Sequence, residues 1–95
     1  MLKTIATFKD KDTRDFFYGK RIKKWEKIAE SARSKLKILN RVSSLLELTN
    51  AFATRLHRLY GDREGQRSIS INKQYRICFY WIKKHAYEVE ITDYH

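Results

Sequence analysis

Two side chains in the second half of the chain have the chemistry needed to act on a phosphodiester. His57 follows Leu56 in a short apolar–polar stretch, and Arg76 follows Tyr75 in a longer one. An imidazole has a reference pKa of about 6.5, so it gives or takes a proton near neutral pH. A guanidinium stays charged and contacts two phosphate oxygens at once. Together these residue types favour a site for a phosphate-bearing ligand.

Alternation along the predicted strands places both side chains on one face of a sheet. In segment 75–82 the odd positions from 77 onward are apolar and suit a core, which turns Arg76 outward. Leu56 is expected in the core, so His57 shares the outward face. The same argument for the last strand places Tyr94 there. A basic face that carries histidine and tyrosine predicts an RNA-binding site.

Simpler interpretations of these residues stay open. Strict alternation puts Asp93 and His95 on the opposite face, unless the strand bulges or frays at its end. Arg76 is alternatively a solvated strand residue, and His95 alternatively belongs to a tail. Tyr94 alternatively caps the sheet edge. His85 is expected in a turn.

The first half of the chain predicts one strand and a helical layer. Residues 2–8 alternate as a strand, and Asp10 or Asp12 can cap a short helix that Gly19 ends. The clearest helical period follows, and Ser43–Leu48 suggests one further turn of helix. Its apolar stripe consists of Trp25, Ile28, Ala29, Ala32, Leu36 and Leu39.

The second half predicts an antiparallel meander. The expected strands are Thr54–Leu59, Arg67–Ile71, Tyr75–Ile82 and Tyr87–Ile91, joined by polar turns. The first turn contains Gly61 and Gly65, where a positive φ is needed. The expected fold is α+β: an N-terminal strand and two helices packed on one face of a mostly antiparallel four- to five-stranded sheet, as one domain over residues 1–95.

The charge predicts an anionic partner. The chain has 21 Lys and Arg against 11 Asp and Glu, which gives +10, and Lys27, Lys37 and Arg41 lie opposite the apolar stripe. A basic domain attracts polyanions, and released counterions supply binding free energy. A solubilising surface is the alternative.

Several classes of protein are excluded by composition. A lone Cys78 excludes an intrachain disulfide, and its apolar neighbours indicate a buried thiol. His, Cys and acidic residues never fall into metal-ligand spacing, so we expect neither a metal nor a cofactor. No apolar run reaches the roughly 20 residues of a membrane span, and residues 1–8 do not suit a secretory signal. We expect a cytoplasmic protein with no membrane partner.

A longer pattern resembles a known family. It runs from Arg55-Leu56-His57-Arg58-Leu59-Tyr60-Gly61-Asp62-Arg63-Glu64-Gly65 through Arg67-Ser68-Ile69-Ser70-Ile71, Asn72 and Tyr75-Arg76-Ile77-Cys78-Phe79 to Asp93-Tyr94-His95. This pattern is similar to the HigB family, the plasmid maintenance killer toxins of the RelE/ParE superfamily, whereas the first half matches only in layout. The resemblance implies a RelE-like fold.

The resemblance also implies a function, partners and site residues. The function is ribosome-dependent cleavage of messenger RNA in the A site. The partners are the ribosome with its RNA, and a helix-turn-helix HigA antitoxin through which alone operator DNA is bound. The positions used by active members are His57, Arg76, Asp93, Tyr94 and His95. Many members carry Lys where this chain has Tyr60, which removes one positive charge near the phosphate. The basic residues expected to contact RNA or the ribosome are Lys27, Lys37, Arg41, Arg58, Arg63 and Arg67.

The chemistry expected of these residues needs no metal. A 2′-hydroxyl attacks the adjacent phosphate, which requires a base, an acid and positive charge on the developing dianion. His57 and His95 are the acid and base, in either order, and Arg76 stabilises the charge. Tyr94 stacks on a base or donates to phosphate, and Tyr60 stacks or positions. Asp93 orients a histidine or closes the sheet edge.

Three other functions stay open at this stage. A ParE-like inhibitor would bind DNA gyrase and cleave nothing; the histidines argue against it and Tyr60 slightly for it. A basic nucleic-acid-binding module would bind free RNA or DNA with steep salt dependence. A decayed toxin would bind its antitoxin and be harmless on expression.

Overall fold

The computed structural model describes residues 3–93. These residues contain three α-helices and a four-stranded antiparallel sheet. The helices are α1 (Lys11–Phe17), α2 (Ala29–Leu39) and α3 (Leu45–Phe52). The strands are β1 (Leu56–Arg58), β2 (Gln66–Ser70), β3 (Tyr75–Ile82) and β4 (His85–Asp93), adjacent in that order. The α+β class is confirmed, and α3 is a full third helix where a single turn was expected.

One hydrophobic core joins the helices to one face of the sheet. The stripe predicted on the long helix is buried, although its first part, Lys23–Ile28, is a 3-10 helix that leads into α2. The strands contribute their inward positions, as alternation predicted. The core residues from the stripe and the strands include Trp25, Ile28, Ala32, Leu36, Leu39, Ile69, Ile77, Phe79, Val89 and Ile91.

Side-chain caps begin two of the helices. The Asp10 carboxylate accepts from the backbone N–H of Thr13 at 2.7 Å, so Asp10 and not Asp12 caps α1. Ser44 caps α3 by accepting from the N–H of Glu47 at 3.1 Å. Among residues 3–93, no helix has both the length and the apolar character required to cross a bilayer.

The N-terminal segment is extended but is not a continuous strand. It runs parallel to β4 and pairs with it through isolated bridges, Ile5 with Ala86 and Phe8 with Val89. Glu88 lies between these bridges with a φ of 51°, at an irregularity in the β3–β4 register, and its N–H donates to the Thr7 hydroxyl at 2.8 Å. This bulge interrupts the ladder, which explains why the strand predicted over residues 2–8 is broken. Leu2 lies outside the described residues.

Other strand boundaries differ at their ends. The strand predicted over 54–59 is reduced to β1, because residues 53–55 form a 3-10 turn. Strand β3 has the predicted bounds, and β4 begins two residues earlier and ends two residues later than expected. Gly61 and Gly65 have φ values of 68° and 94°, which confirms the turn predicted from them.

Asn40 fastens the N-terminal segment to the end of α2. Its buried Oδ1 accepts from the backbone N–H groups of Lys3, Thr4 and Ile5 at 2.8, 2.9 and 3.0 Å. One side-chain oxygen therefore satisfies three donors, two of them buried, that an isolated strand leaves without partners.

Asn40→Ala is expected to destabilise the fold by about 1–3 kcal/mol, because the N–H groups of Lys3 and Ile5 lose their acceptor and that of Thr4 keeps only the backbone oxygen of residue 40. The measurement is the free energy of unfolding from urea denaturation. Asn50→Ala, at an exposed position of α3, is the control and should change stability by less than about 0.5 kcal/mol. Equal stability of the two variants would contradict this account of the N-terminal segment.

Candidate active site

Register places four side chains in a row across the face of the sheet that lacks helices. His57 lies opposite Ser68, Ser68 opposite Cys78, and Cys78 opposite Glu90. The neighbouring row, from Leu56 to Ile91, points into the core. The face predicted for His57 is therefore the one it occupies, with Ser68 and Cys78 as its buried floor.

Arg76 lies two positions from Cys78 along β3 and therefore on the same face. Its Nη1 donates to the Ser68 hydroxyl at 3.3 Å. Ser68 is directly opposite His57, so one serine lies beside both the guanidinium and the imidazole. The structure brings together the two residues that the sequence analysis placed on one face.

A cleft of about 640 Å³ opens at His57 and Arg76, within the usual range of about 300–1,000 Å³ for small-ligand sites. Tyr60 stands at its rim with 72% of its surface exposed. The lining residues are His57, Arg58, Leu59, Tyr60, Asp62, Arg63 and Arg76. Three arginines against one aspartate make this cleft a suitable place for an anion.

A buried carboxylate holds the loop at one wall of this cleft. Glu90 is 8% exposed, and its Oε2 accepts from Arg63 Nη1 and pairs with Lys9 Nζ, both at 3.2 Å. Arg63 Nη1 also donates to Gln66 Oε1 at 3.0 Å. Burial alone would lower the pKa of Arg63, but the hydrogen bond to Glu90 and nearby negative charge outweigh it, so that pKa is raised.

Alternation along β4 places Glu90 on the outward, helix-free face of the sheet. Its side chain is buried there by Arg63 and Lys9. Its partners Lys9 and Arg63 are distant in sequence, so the sequence offers one weak signal for this role, an acid on an otherwise basic face. The sequence analysis also did not name Ser68 as a site residue. Its place directly opposite His57 depends on the pairing of β1 with β2.

Cys78 lies buried beneath the helix-free face of the sheet. It is 1% exposed, which confirms the predicted burial. Burial raises the pKa of the Cys78 thiol above its ordinary value, and the opposing effect of the Arg63 charge is smaller. A thiol with a raised pKa and no access is a poor nucleophile, so Cys78 serves packing.

The basic residues predicted to contact RNA do not all gather at the cleft. Arg58 lines the cleft, but Arg67 lies opposite Phe79, on the side of the sheet that faces the helices. Ile69 lies two positions further along β2 and is buried in the core, so strand alternation places Arg67 on that same side. Lys27, Lys37 and Arg41 are exposed on the helical side of the molecule.

Two of the predicted catalytic residues, Tyr94 and His95, lie outside the described residues. Asp93 is opposite Tyr75, and its Oδ2 accepts from Gln74 Nε2 at 3.0 Å. This pairing puts Asp93 on the opposite side of the strand from Arg76, as strict alternation indicated. Its interaction with a histidine stays a prediction.

The described residues show one further feature of site chemistry. Within residues 3–93, no three His, Cys, Asp or Glu side chains gather in a geometry that could hold a metal ion. The ionisable groups that line the cleft are an imidazole, three guanidinium groups, a phenol and the Asp62 carboxylate.

The fold is that of RelE-like toxins. A chain of the solved YoeB–YefM complex from Staphylococcus aureus matches with a TM-score of 0.57 over 96% of this chain and 97% of that one, and at 18% identity this likeness concerns the fold alone. The model of a family described as the RelE-like toxin of the type II toxin-antitoxin system HigB matches residues 6–95. The chain belongs to this HigB-like toxin family, which confirms the resemblance.

One curated relative also matches part of the chain. It is the Endoribonuclease HigB of Proteus vulgaris, 46% identical over 41 residues. The aligned stretch covers 43% of this chain and 45% of that relative.

The state of Cys78 gives a direct test of the site's floor. Iodoacetamide should modify the folded protein at least about 10-fold more slowly than the protein unfolded in guanidinium chloride, because reaction requires a thiolate and access. The measurement is the mass increase over time at pH 8. Equal rates in the folded and unfolded protein would show that the floor is open.

Proposed function

We propose that this HigB-like toxin is a ribosome-dependent endoribonuclease that cleaves messenger RNA in the A site and so inhibits translation. The observation that carries the proposal is the position of His57 and Arg76 on either side of Ser68 in one cleft. A proton-transfer group and a fixed positive charge within one nucleotide-sized cleft are two of the three groups that RNA cleavage by side chains requires.

The proposed reaction is an internal transfer at phosphorus. A base removes the proton of the 2′-hydroxyl, the 2′-oxygen bonds to phosphorus, and the bond to the 5′-oxygen breaks as an acid gives that oxygen a proton. The products are a 2′,3′-cyclic phosphate and a 5′-hydroxyl. The proposed step uses no metal or cofactor, because side chains transfer the protons and stabilise the charge. His57 and His95 are the acid and base, in either order.

Arg76 stabilises the negative charge that develops on the phosphate oxygens. Its bond to Ser68 holds the guanidinium on the side of His57. Tyr94 stacks on a base or donates to phosphate, and Asp93 orients His95 or closes the sheet edge. The exposed Tyr60 is suited to stacking at the rim of the cleft.

Partners follow from the family and the surface charge. We propose a HigA-like helix-turn-helix antitoxin that neutralises the toxin and alone connects it to operator DNA, in the cytoplasm. The relative from Proteus vulgaris is named an endoribonuclease, and the fold match is to a chain of a two-protein complex. Basic residues of the helical side and of the cleft, Lys27, Lys37, Arg41, Arg58, Arg63 and Arg67, are proposed to contact messenger or ribosomal RNA.

A gyrase inhibitor of the ParE type is the second candidate, favoured only by Tyr60 in place of the usual Lys. The two functions stop different processes. Incorporation of labelled amino acids should fall first after induction if the toxin cleaves messenger RNA, whereas thymidine incorporation should fall first if it inhibits gyrase.

Arg76→Ala is expected to weaken cleavage by about 10²-fold or more, by analogy with lost oxyanion donors. The measurement is killing on expression in a bacterium without antitoxin. Arg14→Ala is the matched control, because Arg14 is exposed on α1 and pairs with Asp15 away from the cleft. Undiminished killing by folded Arg76→Ala would remove the assignment, and harmless expression of the unaltered chain would indicate a decayed toxin.

A further inference from the structure

Two further clefts extend, one after the other, from the Arg76 side of the cleft that contains His57 and Arg76. A second cleft of about 550 Å³ shares Arg76 with the first and extends to Arg55, Asn72 and Lys73. A third of about 500 Å³ shares Asn72 with the second. It runs along the 3-10 helix that precedes α2, and its basic residues are Lys23, Lys24 and Lys27. We call the second and third clefts together the basic track.

The basic track is strongly positive. The second cleft has no acidic lining residue among those the structure describes. The third contains Glu26, whose carboxylate is paired with Arg21. Lys24 is paired with Asp12 at 3.0 Å. Among ion pairs within residues 3–93, none involves Lys23, Lys27 or Lys73, so these three ammonium groups remain available to a ligand.

The polar and aromatic residues of the track suit a single nucleic-acid strand. Half-buried Tyr75 lies beside the lysines of the third cleft, together with the amides of Asn72 and Gln74. A positive groove with an aromatic side chain is the usual arrangement for single-stranded nucleic acid, because lysines neutralise the backbone while a ring stacks on a base. The track continues from the His57–Arg76 cleft without a break in shared residues, which favours one polymer over two ligands.

We propose that the basic track binds the phosphate backbone of single-stranded RNA on one side of the bond that is cleaved. This inference rests on the proposed function, since it takes the His57–Arg76 cleft as the place of cleavage. It adds Lys23, Arg55 and Lys73 to the RNA-binding residues and gives Lys27 a defined place among them. The residues of the track position RNA and take no part in proton transfer.

The test is binding of fluorescent 2′-O-methyl oligouridylates of 3, 6 and 9 nucleotides, measured by anisotropy at several salt concentrations. These oligonucleotides lack the attacking hydroxyl and are not cleaved, and no ribosome is present. For the unaltered toxin, affinity is expected to rise with length as the RNA extends into the track. The triple variant Lys23→Gln, Lys27→Gln, Lys73→Gln should lose most of this rise. The slope of the logarithm of its association constant against the logarithm of salt concentration should be shallower by about 2, because each of the three lost phosphate contacts contributes about 0.7.

The matched control is Lys11→Gln, Lys83→Gln, Lys84→Gln. It removes the same charge from exposed positions outside the three clefts, two of them in the turn at the far end of β3. The control should keep the length dependence and the slope. Equal losses in both variants would show that RNA is attracted by general charge and not by the track, which would contradict the proposal. No loss in the track variant would overturn it as well. Tighter binding of an oligoglutamate than of RNA to the track would also overturn it.

The assay separates this proposal from the proposed function. Loss of RNA binding in the track variant supports the track even if the toxin cleaves nothing on the ribosome. Ribosomal cleavage by a toxin whose track variant binds RNA normally would overturn the track and leave the nuclease in place.

Discussion

The pairing register of the first three strands is the constraint on which the site depends. Side chains alternate with a period of two, so a slip of β3 by one residue would bury Arg76 and expose Ile77. Ile77 and Phe79 are fully buried, and their burial holds the register in which Arg76 and His57 meet at Ser68. The hydrophobic effect on one face of the sheet thus positions charged groups on the other.

The helix-free face is basic, and the buried Glu90 on it has a structural role. Glu90 satisfies Lys9 and Arg63, which ties the N-terminal segment and the loop after β1 to the same strand. Breaking a buried pair leaves an uncompensated charge, so these contacts constrain the walls of the cleft. Much of the remaining positive charge lies on exposed side chains, where it attracts polyanions.

The parts of the structure that follow from local pattern were predictable. The helical stripe and β3 could be predicted, because burial imposes a regular spacing of apolar residues that is visible within a single segment. The face shared by His57 and Arg76 followed from the same alternation. The bulge at Glu88 and the burial of Glu90 could not be predicted, because they depend on contacts with Thr7, Lys9 and the loop after β1, distant in sequence. The place of the basic track likewise required the three-dimensional neighbourhood of the β2–β3 turn.

A double-mutant cycle on programmed ribosomes measures whether His57 and Arg76 act on one phosphodiester. Single-turnover cleavage of messenger RNA is measured for the unaltered toxin, His57→Gln, Arg76→Ala and the double variant. Each single change should cost about 10²-fold, and the double variant should stay within about tenfold of the slower single variant, since groups that act as a unit are not additive. A double loss near the product, about 10⁴-fold, or a single variant that cleaves at full rate would contradict the account.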